Sequence, residues 1–226
     1  MPYSYPFFKS EIKQWFIDNV PTSKRILDVG PGQGTYSDLL RNLGYQMDAV
    51  EVWAPYVDQF NLRAKYDNVY IQDIREFELW NYDFIILGDV LEHLPEEDAK
   101  HLITKIAVYG IQCLVAVPYM MAQDGEEYGN EYETHHQADL TPEVMIERYP
   151  GLKPIYTNHL YGYYVSDGKF MHDKAYILYA TESYKDTVQA CVHSINTVSD
   201  IPVYVFMLNS NVQIDGAYTI HWLLML

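Results

Sequence analysis

The sequence has little cysteine, and its cysteines form no recognisable pattern. Only two occur among the 226 residues: Cys113 lies in an apolar run that predicts a buried strand, and Cys191 lies in a predicted helix. Disulfide frameworks and cysteine-based metal sites need several cysteines at close spacing, so neither class of protein is indicated. We predict that both thiols are reduced and lie in the core.

Basic residues are also scarce. The chain carries 15 lysines and arginines against 31 aspartates and glutamates, which gives a formal net charge of −16. Proteins that bind nucleic acids need clustered cations to meet the phosphates. The charge balance therefore argues against a DNA or RNA substrate and favours a small molecule.

Long apolar stretches are missing as well. No run approaches the ~20 apolar residues that a membrane helix needs. The N-terminus lacks the basic segment followed by an apolar segment that marks a secretory signal. We therefore predict no membrane partner and a cytoplasmic location, while the oligomeric state stays open, a homodimer included.

The sequence does contain a regular alternation of short apolar runs and amphipathic segments. Such alternation is typical of an α/β sheet with right-handed crossovers. We predict a Rossmann-like, doubly wound, mostly parallel seven-stranded sheet that ends in an antiparallel hairpin. The hairpin is predicted from residues 153–165 and 174–180, with its turn near Asp167 and Gly168. The parallel strands are predicted over residues 25–29, 46–52, 69–72, 84–88 and 112–117.

A helix is predicted ahead of the first strand, over residues 7–20. Its apolar residues recur at helical spacing, and Pro21 ends it. Two placements are open at this point. The helix either lies across the ligand cleft or packs against the sheet.

Acidic residues stand where the predicted parallel strands end. Ligands of an open doubly wound sheet bind outside the carboxyl ends of its strands, so these acids are expected to face one ligand. A pyrophosphate is unfavourable beside like charges in a poorly solvated cleft. S-adenosylmethionine has no phosphate and carries a sulfonium and an ammonium, so it suits the site better. The acids are Asp28, Glu51, Asp73, Asp89 and Glu92.

The glycine spacing supports the same choice of ligand. Glycines occur at positions 30, 32 and 34, whereas the dinucleotide fingerprint G-x-G-x-x-G would need its third glycine where Thr35 stands. An NAD-dependent oxidoreductase on the same sheet is the alternative hypothesis. Thr35 and Asp28 both count against it.

Two motifs resemble those of a known family. The run Asp-Val-Gly-Pro-Gly-Gln-Gly at residues 28–34 resembles the first motif of class I S-adenosylmethionine-dependent methyltransferases, and residues 82–95 are similar to that family's fourth motif. The similarity extends over residues 7–180. It implies an enzyme that transfers a methyl group from S-adenosylmethionine to an oxygen or nitrogen of a small molecule or sugar.

The resemblance also implies which residues contact the cofactor. Asp28 would lie near the methionine ammonium, and Glu51 would hold the ribose hydroxyls. Trp53 would stack near the adenine, and Asp73 would accept a hydrogen bond from its amino group. The other implied contacts are Gly30, Gly32 and Gly34 in the turn, Ile74 beside the adenine, and Gly88, Asp89 and Val90 beside the methionine.

Three histidines are candidates for a general base. His93 follows the fourth strand, and imidazole titrates near neutral pH, although a capping or core role fits it equally well. His135 and His136 lie in a long acidic segment, residues 119–140, which is either a substrate-contacting lid or a solvated loop. His-His-x-x-Asp, ending at Asp139, is not a strong metal signature, so no metal is predicted.

The last part of the chain has a separate character. We predict a first domain over residues 1–180 and an appendage over residues 181–226. A strand, a helix and a strand at 175–181, 184–198 and 203–208 resemble the opening βαβ unit of a nucleotide-sugar glycosyltransferase. The appendage is either part of a larger domain or an addition to the first. A non-catalytic module of a glycan-pathway fusion protein is thus a third hypothesis, and the 22 tyrosines fit a sugar or aromatic acceptor.

Overall fold

The computed structural model describes residues 4–125, 129–166, 176–199, 203–208, 210 and 212–222. It divides the chain into two units, Met1–Lys169 and Phe170–Leu226. This boundary lies earlier than the one predicted after residue 180, because the strand at 176–181 belongs to the second unit.

The first unit is built on a seven-stranded sheet. Its strands are β1 (Arg25–Val29), β2 (Gln46–Glu51), β3 (Val69–Ile71), β4 (Phe84–Gly88), β5 (Gln112–Pro118), β6 (Lys153–Thr157) and β7 (Tyr161–Ser166). The order is β3-β2-β1-β4-β5-β7-β6, with β1 to β5 parallel and β7 antiparallel to its two neighbours. The four residues Phe84–Leu87 are all buried, as expected for a central strand that is covered on both faces. The predicted Rossmann-like sheet is confirmed.

The hairpin at the edge of this sheet differs from the prediction. It lies entirely within residues 153–166 and turns at Asn158, whose Oδ1 accepts hydrogen bonds from the backbone N–H groups of Leu160 and Tyr161 at 2.8 and 2.9 Å. The predicted turn at Asp167 and Gly168 lies outside the described residues. The prediction was wrong because this local asparagine turn splits what reads as one long strand.

Six helices in the described part of the first unit connect these strands. They are α1 (Lys9–Asn19), α2 (Thr35–Leu40), α3 (Ala54–Gln59), α4 (Leu62–Lys65), α5 (Glu96–Val108) and α6 (Pro142–Arg148). Asn61, which has a left-handed φ of 50°, separates α3 from α4. Thr141 caps the start of α6, since its Oγ1 accepts a hydrogen bond from the N–H of Val144 at 3.2 Å.

The leading helix α1 packs against the sheet. Ile12 and Phe16 are fully buried in the same core cluster as Tyr45 and Phe84. The hydroxyl of Tyr45 donates to the carbonyls of Phe16 and Val20 at 2.9 and 2.7 Å, so it also satisfies the end of the helix. Of the two placements left open above, the structure adopts the packed one.

The second unit contains a three-stranded parallel sheet. Its elements are β8 (Tyr176–Thr181), α7 (Lys185–Asn196), β9 (Val203–Leu208) and β10 (Tyr218–Trp222), and the strand order is β10-β9-β8. Val188 and Val192 of α7 lie in one core cluster with Val203 and Val205 of β9. The predicted strand–helix–strand succession is confirmed, whereas β10 was not predicted.

The structure also shows where the two cysteines lie and how apolar the helices are. Cys113 is buried as predicted, but Cys191 is exposed on α7, so the prediction of two core thiols was wrong for that residue. Among the described helices, none combines the length and apolar content needed to cross a bilayer.

Candidate active site

A cavity of about 440 Å³ lies at the carboxyl ends of β1, β2 and β4. Its size falls in the range typical of small-ligand sites, and its position is the one expected for an open doubly wound sheet. Two parts of its wall have different origins. The strand-end wall consists of Gly30, Gly32, Glu51, Gly88 and Asp89, and the loop wall consists of Asn130, Glu131, Tyr132, Glu133, Thr134 and His136.

The strand-end wall begins with the glycine turn after β1. Gly30, Gly32 and Gly34 have φ values of 56°, 51° and 85°, a left-handed conformation that side chains disfavour. A Cβ on Gly34 would lie 2.6 Å from Cδ of Lys65. The turn therefore needs glycine for its backbone path as well as for space, which explains the spacing that the sequence shows.

Gly88, at the end of β4, is needed for a different reason. A Cβ at this position would lie 2.2 Å from Cε2 of Tyr36. Tyr36 is itself buried in the core and lines the cavity. The absence of a side chain at Gly88 thus lets the Tyr36 ring lie directly against the strand.

Glu51 ends β2 inside the cavity wall and is 4% exposed. Its Oε1 accepts the backbone N–H of Trp53 at 2.9 Å. Burial raises its pKa to about 7, and backbone hydrogen bonds such as that from Trp53 oppose the shift. Trp53 itself is not in the cavity wall, although its ring centroid lies 6.2 Å from that of Tyr132.

Asp28 lies in the interior and not in the cavity wall. It is 1% exposed, and the hydroxyl of Tyr66 donates to its Oδ2 at 2.5 Å. Its Oδ1 has no hydrogen-bond partner among the described residues. Burial raises its pKa to about 7, while the bond from Tyr66 acts in the opposite direction.

Asp73 lines the cavity together with Arg75. The guanidinium of Arg75 donates to both carboxylate oxygens of Asp73, with Nη2 to Oδ2 at 2.5 Å, and it also reaches Asp98 at 2.9 Å. Burial alone would raise the pKa of Asp73, but the hydrogen bonds from Arg75 outweigh it and lower the pKa. One of the predicted acids in the wall is therefore already paired with a cation.

Asp89 connects the cavity to the N-terminal segment. Its Oδ2 accepts hydrogen bonds from the hydroxyls of Ser4 at 2.5 Å and Tyr161 at 2.8 Å. Burial raises its pKa, whereas these two hydrogen bonds oppose the shift. Nζ of Lys9 donates to Ser4 and Tyr163 at 2.7 and 2.8 Å, and burial lowers its pKa to about 8. The segment before α1, and not the helix, thus reaches the cleft.

The C-terminal end of the loop wall is hydrogen-bonded to the short 3₁₀ turn Leu91–His93. The backbone N–H groups of His136 and Gln137 donate to the carbonyl of Glu92 at 2.8 and 3.1 Å. The amide of buried Gln137 donates to the carbonyls of Leu91 and Leu94 at 2.8 and 3.0 Å. These bonds place a segment that has little secondary structure of its own across from the ends of the strands.

Comparison with known proteins relates the first unit to a family. Residues 7–109 match the family model described as a methyltransferase domain. The sheet order and the position of the cavity agree with that match. The first unit thus contains a segment that is similar to a methyltransferase domain.

Solved structures agree with the fold of the first unit. The PH0226 protein from Pyrococcus horikoshii OT3 is 13% identical, with a TM-score of 0.53 over 72% of this chain and 92% of that one. Magnesium protoporphyrin IX methyltransferase from Synechocystis PCC 6803 is 16% identical, with a TM-score of 0.51 over 70% and 76%. The 1,6-didemethyltoxoflavin-N1-methyltransferase from Burkholderia thailandensis is 14% identical, with a TM-score of 0.51 over 71% and 76%. No curated protein sequence matches the chain.

The three candidate histidines of the first unit occupy different positions. His93 and His136 line the cavity, whereas His135 does not. The ring centroids of His93 and His135 lie 4.6 Å apart, and the angle between the ring planes is 77°. Burial and, secondly, the proximity of His135 lower the pKa of His93 to about 4. Asp139 does not join them, because it pairs with Arg148 at 2.7 Å.

The structure brings most of the predicted cofactor residues of the first unit to one cavity. It leaves Asp28, Gly34 and Trp53 outside the wall. It adds Ser4, Arg75 and residues 130–134 of the loop wall, which were not predicted. A lone serine or arginine carries no local signal of this kind, and residues 130–134 could be recognised only as part of a long loop. The predicted residues in the wall are Gly30, Gly32, Glu51, Asp73, Ile74, Gly88, Asp89, Val90, His93 and His136.

Proposed function

We propose that this chain transfers a methyl group from S-adenosylmethionine to a small-molecule acceptor. The observation that carries the proposal is the cavity at the strand ends, where the left-handed glycine turn and Glu51 meet. The methyltransferase-domain match supports it. So does the magnesium protoporphyrin IX methyltransferase of similar fold, whose structure contains bound S-adenosylmethionine.

In this proposal Glu51 holds the ribose hydroxyls. One of its oxygens already accepts the N–H of Trp53, but a carboxylate has further lone pairs and the side chain is in the wall. Asp73 accepts from the adenine amino group with lone pairs that Arg75 leaves free, and Ile74 lies beside the ring. Trp53 contributes through Tyr132, whose ring centroid lies 6.2 Å from its own.

The methionine end of the cofactor is assigned to the other side of the wall. Gly30 and Gly32 bring backbone close to the ligand, while Gly88, Asp89 and Val90 line the cavity there. Gly34 acts by shaping the turn. Asp28 lies beneath the wall, so we assign it a long-range electrostatic role toward the ammonium in place of the direct contact that the motif implies.

Methyl transfer requires mainly that the acceptor atom be aligned with the methyl group of S-adenosylmethionine. A lone pair of the acceptor oxygen or nitrogen attacks the methyl carbon, and the electrons of the S–C bond pass to sulfur, leaving S-adenosylhomocysteine. The acceptor proton goes to a base. His136 and His93 line the cavity and are the candidates, but a pKa near 4 makes His93 the weaker base. His135 lies behind His93 and fits a positioning role.

The acceptor is proposed to carry a flat or sugar-like face. Tyr132 is 41% exposed and belongs to the loop wall, so its ring is available for stacking. The 1,6-didemethyltoxoflavin-N1-methyltransferase of similar fold has 1,6-didemethyltoxoflavin bound in its structure, which supports a small-molecule acceptor. An assay of candidate acceptors that carry a hydroxyl or an amine decides between oxygen and nitrogen as the acceptor atom.

The cofactor proposal is tested by calorimetry on the full chain with S-adenosylhomocysteine and, in parallel, with NAD⁺. We expect the first ligand to bind and the second not to, because Glu51, Asp73 and Asp89 line the cavity and a diphosphate would meet them. Glu51→Gln should weaken binding by roughly 10–100-fold, the value of a hydrogen bond to a charged group.

Exposed Glu147 provides the matched control, since Glu147→Gln makes the same chemical change on α6, outside the cavity wall. Its affinity should equal that of the unmodified chain. Absence of S-adenosylhomocysteine binding at millimolar ligand would refute the function. Tighter binding of NAD⁺ would favour the oxidoreductase hypothesis instead.

The second unit is proposed to be the beginning of a further α/β domain. Its parallel β8 and β9, joined through α7, are consistent with the βαβ interpretation made from the sequence. A reading frame that continues past Leu226 with further strand–helix units would support a glycan-pathway fusion. The cytoplasmic location and a homodimer stay predictions from the sequence.

A further inference from the structure

One carboxylate and two imidazoles form a cluster beside the cavity. Glu92, His93 and His135 each place a potential ligand atom so that all three atoms lie within 4.8 Å of one another. His93 also lines the cavity, so the cluster adjoins the site proposed for the methyl acceptor. Two histidines and a carboxylate are a donor set that transition metals use when coordination positions must stay open for a substrate.

The hydrogen bonds of the two histidines orient them for metal binding. Nδ1 of His93 lies 3.2 Å from the carbonyl oxygen of Thr134, and Nδ1 of His135 lies 2.8 Å from that of Met121. A carbonyl only accepts, so each Nδ1 carries the proton and each Nε2 keeps its lone pair. Metal-binding histidines are typically held by such a bond to the nitrogen that does not bind the metal.

Glu92 gives an independent reason to expect a ligand. Its side chain is 1% exposed, and neither carboxylate oxygen has a hydrogen-bond partner among the described residues. A buried polar group without a partner costs about 1–3 kcal/mol, and a charged one costs more. Its backbone carbonyl, by contrast, accepts from His136 and Gln137, so the residue is firmly held while its carboxylate is unsatisfied. A cation would satisfy it.

We propose that Glu92, His93 and His135 bind one divalent transition-metal ion. The two imidazoles favour zinc, iron(II), cobalt(II) or manganese(II) over magnesium and calcium, which prefer oxygen ligands. Ligand bonds of about 2.0–2.2 Å place donor atoms roughly 3.5 Å apart in a tetrahedral site. The three side chains therefore draw together when the ion binds, which the exposed face of the loop carrying His135 permits.

The ion would also define the acceptor, and this part rests on the proposed function. Three protein ligands leave a coordination position open, and a hydroxyl oxygen of the acceptor fits it. The metal would lower the pKa of a bound hydroxyl, the proton would pass to His136, which lines the cavity and is not one of the three ligands, and the oxygen lone pair would then form the bond to the methyl carbon as the S–C bond breaks. O-directed transfer follows from this arrangement.

Metal binding is tested on the full chain after dialysis against a chelator. Cobalt(II) is titrated while its visible absorption is recorded, and zinc is then added as a competitor. We expect one equivalent of cobalt per chain, displaced by zinc but not by magnesium. Glu92→Gln and His135→Ala should each weaken binding by about a hundredfold or more, since even residues that only orient a ligand contribute 10–100-fold.

Two control variants carry the same chemical changes elsewhere. His159→Ala alters an exposed histidine in the β6–β7 turn, and Glu147→Gln an exposed glutamate of α6; both should bind cobalt as the unmodified chain does. Circular dichroism verifies the fold of each variant. If Glu92→Gln fails to fold, His135→Ala decides, because its side chain lies in a loop outside the sheet.

Two outcomes would overturn the metal site: no cobalt binding by the unmodified chain, or binding that Glu92→Gln and His135→Ala leave unchanged. Calorimetry with S-adenosylhomocysteine on the metal-free chain separates this proposal from the proposed function. If the chain binds S-adenosylhomocysteine but not cobalt, the metal site is refuted and the proposed function stands. If the chain binds cobalt but not S-adenosylhomocysteine, the methyl-transfer function is refuted together with the metal's role toward the acceptor, and the metal site stands.

Discussion

The two walls of the cavity are held in place by different kinds of interaction. In the strand-end wall, Glu51 and Gly88 are the last residues of sheet strands, so their backbone positions are set by the parallel ladder. The loop wall contains one short 3₁₀ turn, Glu131–Glu133, and depends on side-chain anchors such as Gln137. The strand-end wall is therefore fixed by the fold, whereas the loop wall can change without disturbing it. In the proposed function the first wall is the cofactor side and the second is the acceptor side.

The largest effect is expected from Gly88→Val in the strand-end wall. The new side chain would begin 2.2 Å from the buried Tyr36 ring, so either the ring or the strand must move. We expect the free energy of unfolding to fall by about 3 kcal/mol or more and binding of S-adenosylhomocysteine to be lost. Urea unfolding and calorimetry measure the two effects.

Gly44→Ala is the control for this substitution. Gly44 has a φ of 94°, and a Cβ there would meet no atom within 4 Å. The change should cost about 1–2 kcal/mol in backbone strain and leave ligand binding as it is. If Gly88→Val binds S-adenosylhomocysteine as the unmodified chain does, the Tyr36 ring can move aside. The strand-end wall would then be no more rigid than the loop wall.

The difference between the walls also explains what could be predicted from the sequence. The glycine turn and Glu51 carry local signals, because a strand end, a left-handed backbone and an acid at fixed spacing all lie within short segments. The sheet was predictable for the same reason. The turn at Asn158 was missed, since a single asparagine inside an apolar segment gives only a weak signal beside two runs of strand-forming residues.

Residues that depend on distant partners could not be predicted. Ser4 reaches Asp89 across 85 positions of sequence, and Arg75 belongs to the wall through its bonds to Asp73 and Asp98. Glu92 and His135 are brought together only when the loop folds back on the 3₁₀ turn. A local sequence pattern does not indicate such contacts, so the sequence analysis could not predict that Glu92 lies near His135.

The next largest effect is expected from Gln137→Leu, at the anchor of the loop wall. This residue is 4% exposed, and its side chain makes four hydrogen bonds, two as donor to Leu91 and Leu94 and two as acceptor from Arg148 and Tyr149. Leucine has a similar volume but leaves these groups unpaired, so the free energy of unfolding should fall by about 3 kcal/mol. Hydrogen exchange of residues 129–137 should accelerate, while S-adenosylhomocysteine affinity changes far less than in Gly88→Val.

Asp139→Asn is the matched control for this anchor. Asp139 also bonds Arg148, but its side chain is 61% exposed, and exposed ion pairs are worth about 1 kcal/mol or less. Its exchange pattern should resemble that of the unmodified chain. Equal protection of the loop in Gln137→Leu would contradict the view that side-chain anchors hold this wall.

The smallest effect is expected beneath the strand-end wall, from the pH dependence of Asp28. Its pKa rises from 3.8 to about 7 on folding, so the folded state holds the proton more tightly than the unfolded state. The resulting stabilisation is complete below about pH 4 and is lost as the pH rises through about 7. Between pH 5.5 and 8.5 this group should contribute a loss of about 2 kcal/mol.

Asp28→Asn keeps an oxygen that can accept from Tyr66 and removes the titration. Unfolding measured at both pH values should show a pH dependence reduced by that amount, with the variant the more stable at pH 8.5. Asp18→Asn, on the exposed side of α1, should behave as the unmodified chain. An identical pH dependence in Asp28→Asn would mean that Asp28 is solvated and not buried under the wall.

The hydrogen bond from Ser4 to Asp89 makes the segment ahead of α1 a component of the cavity, because Ser4 itself lines it. Bulk added at this position would therefore occupy space inside the cavity. A Ser4→Trp variant is expected to bind S-adenosylhomocysteine more weakly than the unmodified chain does.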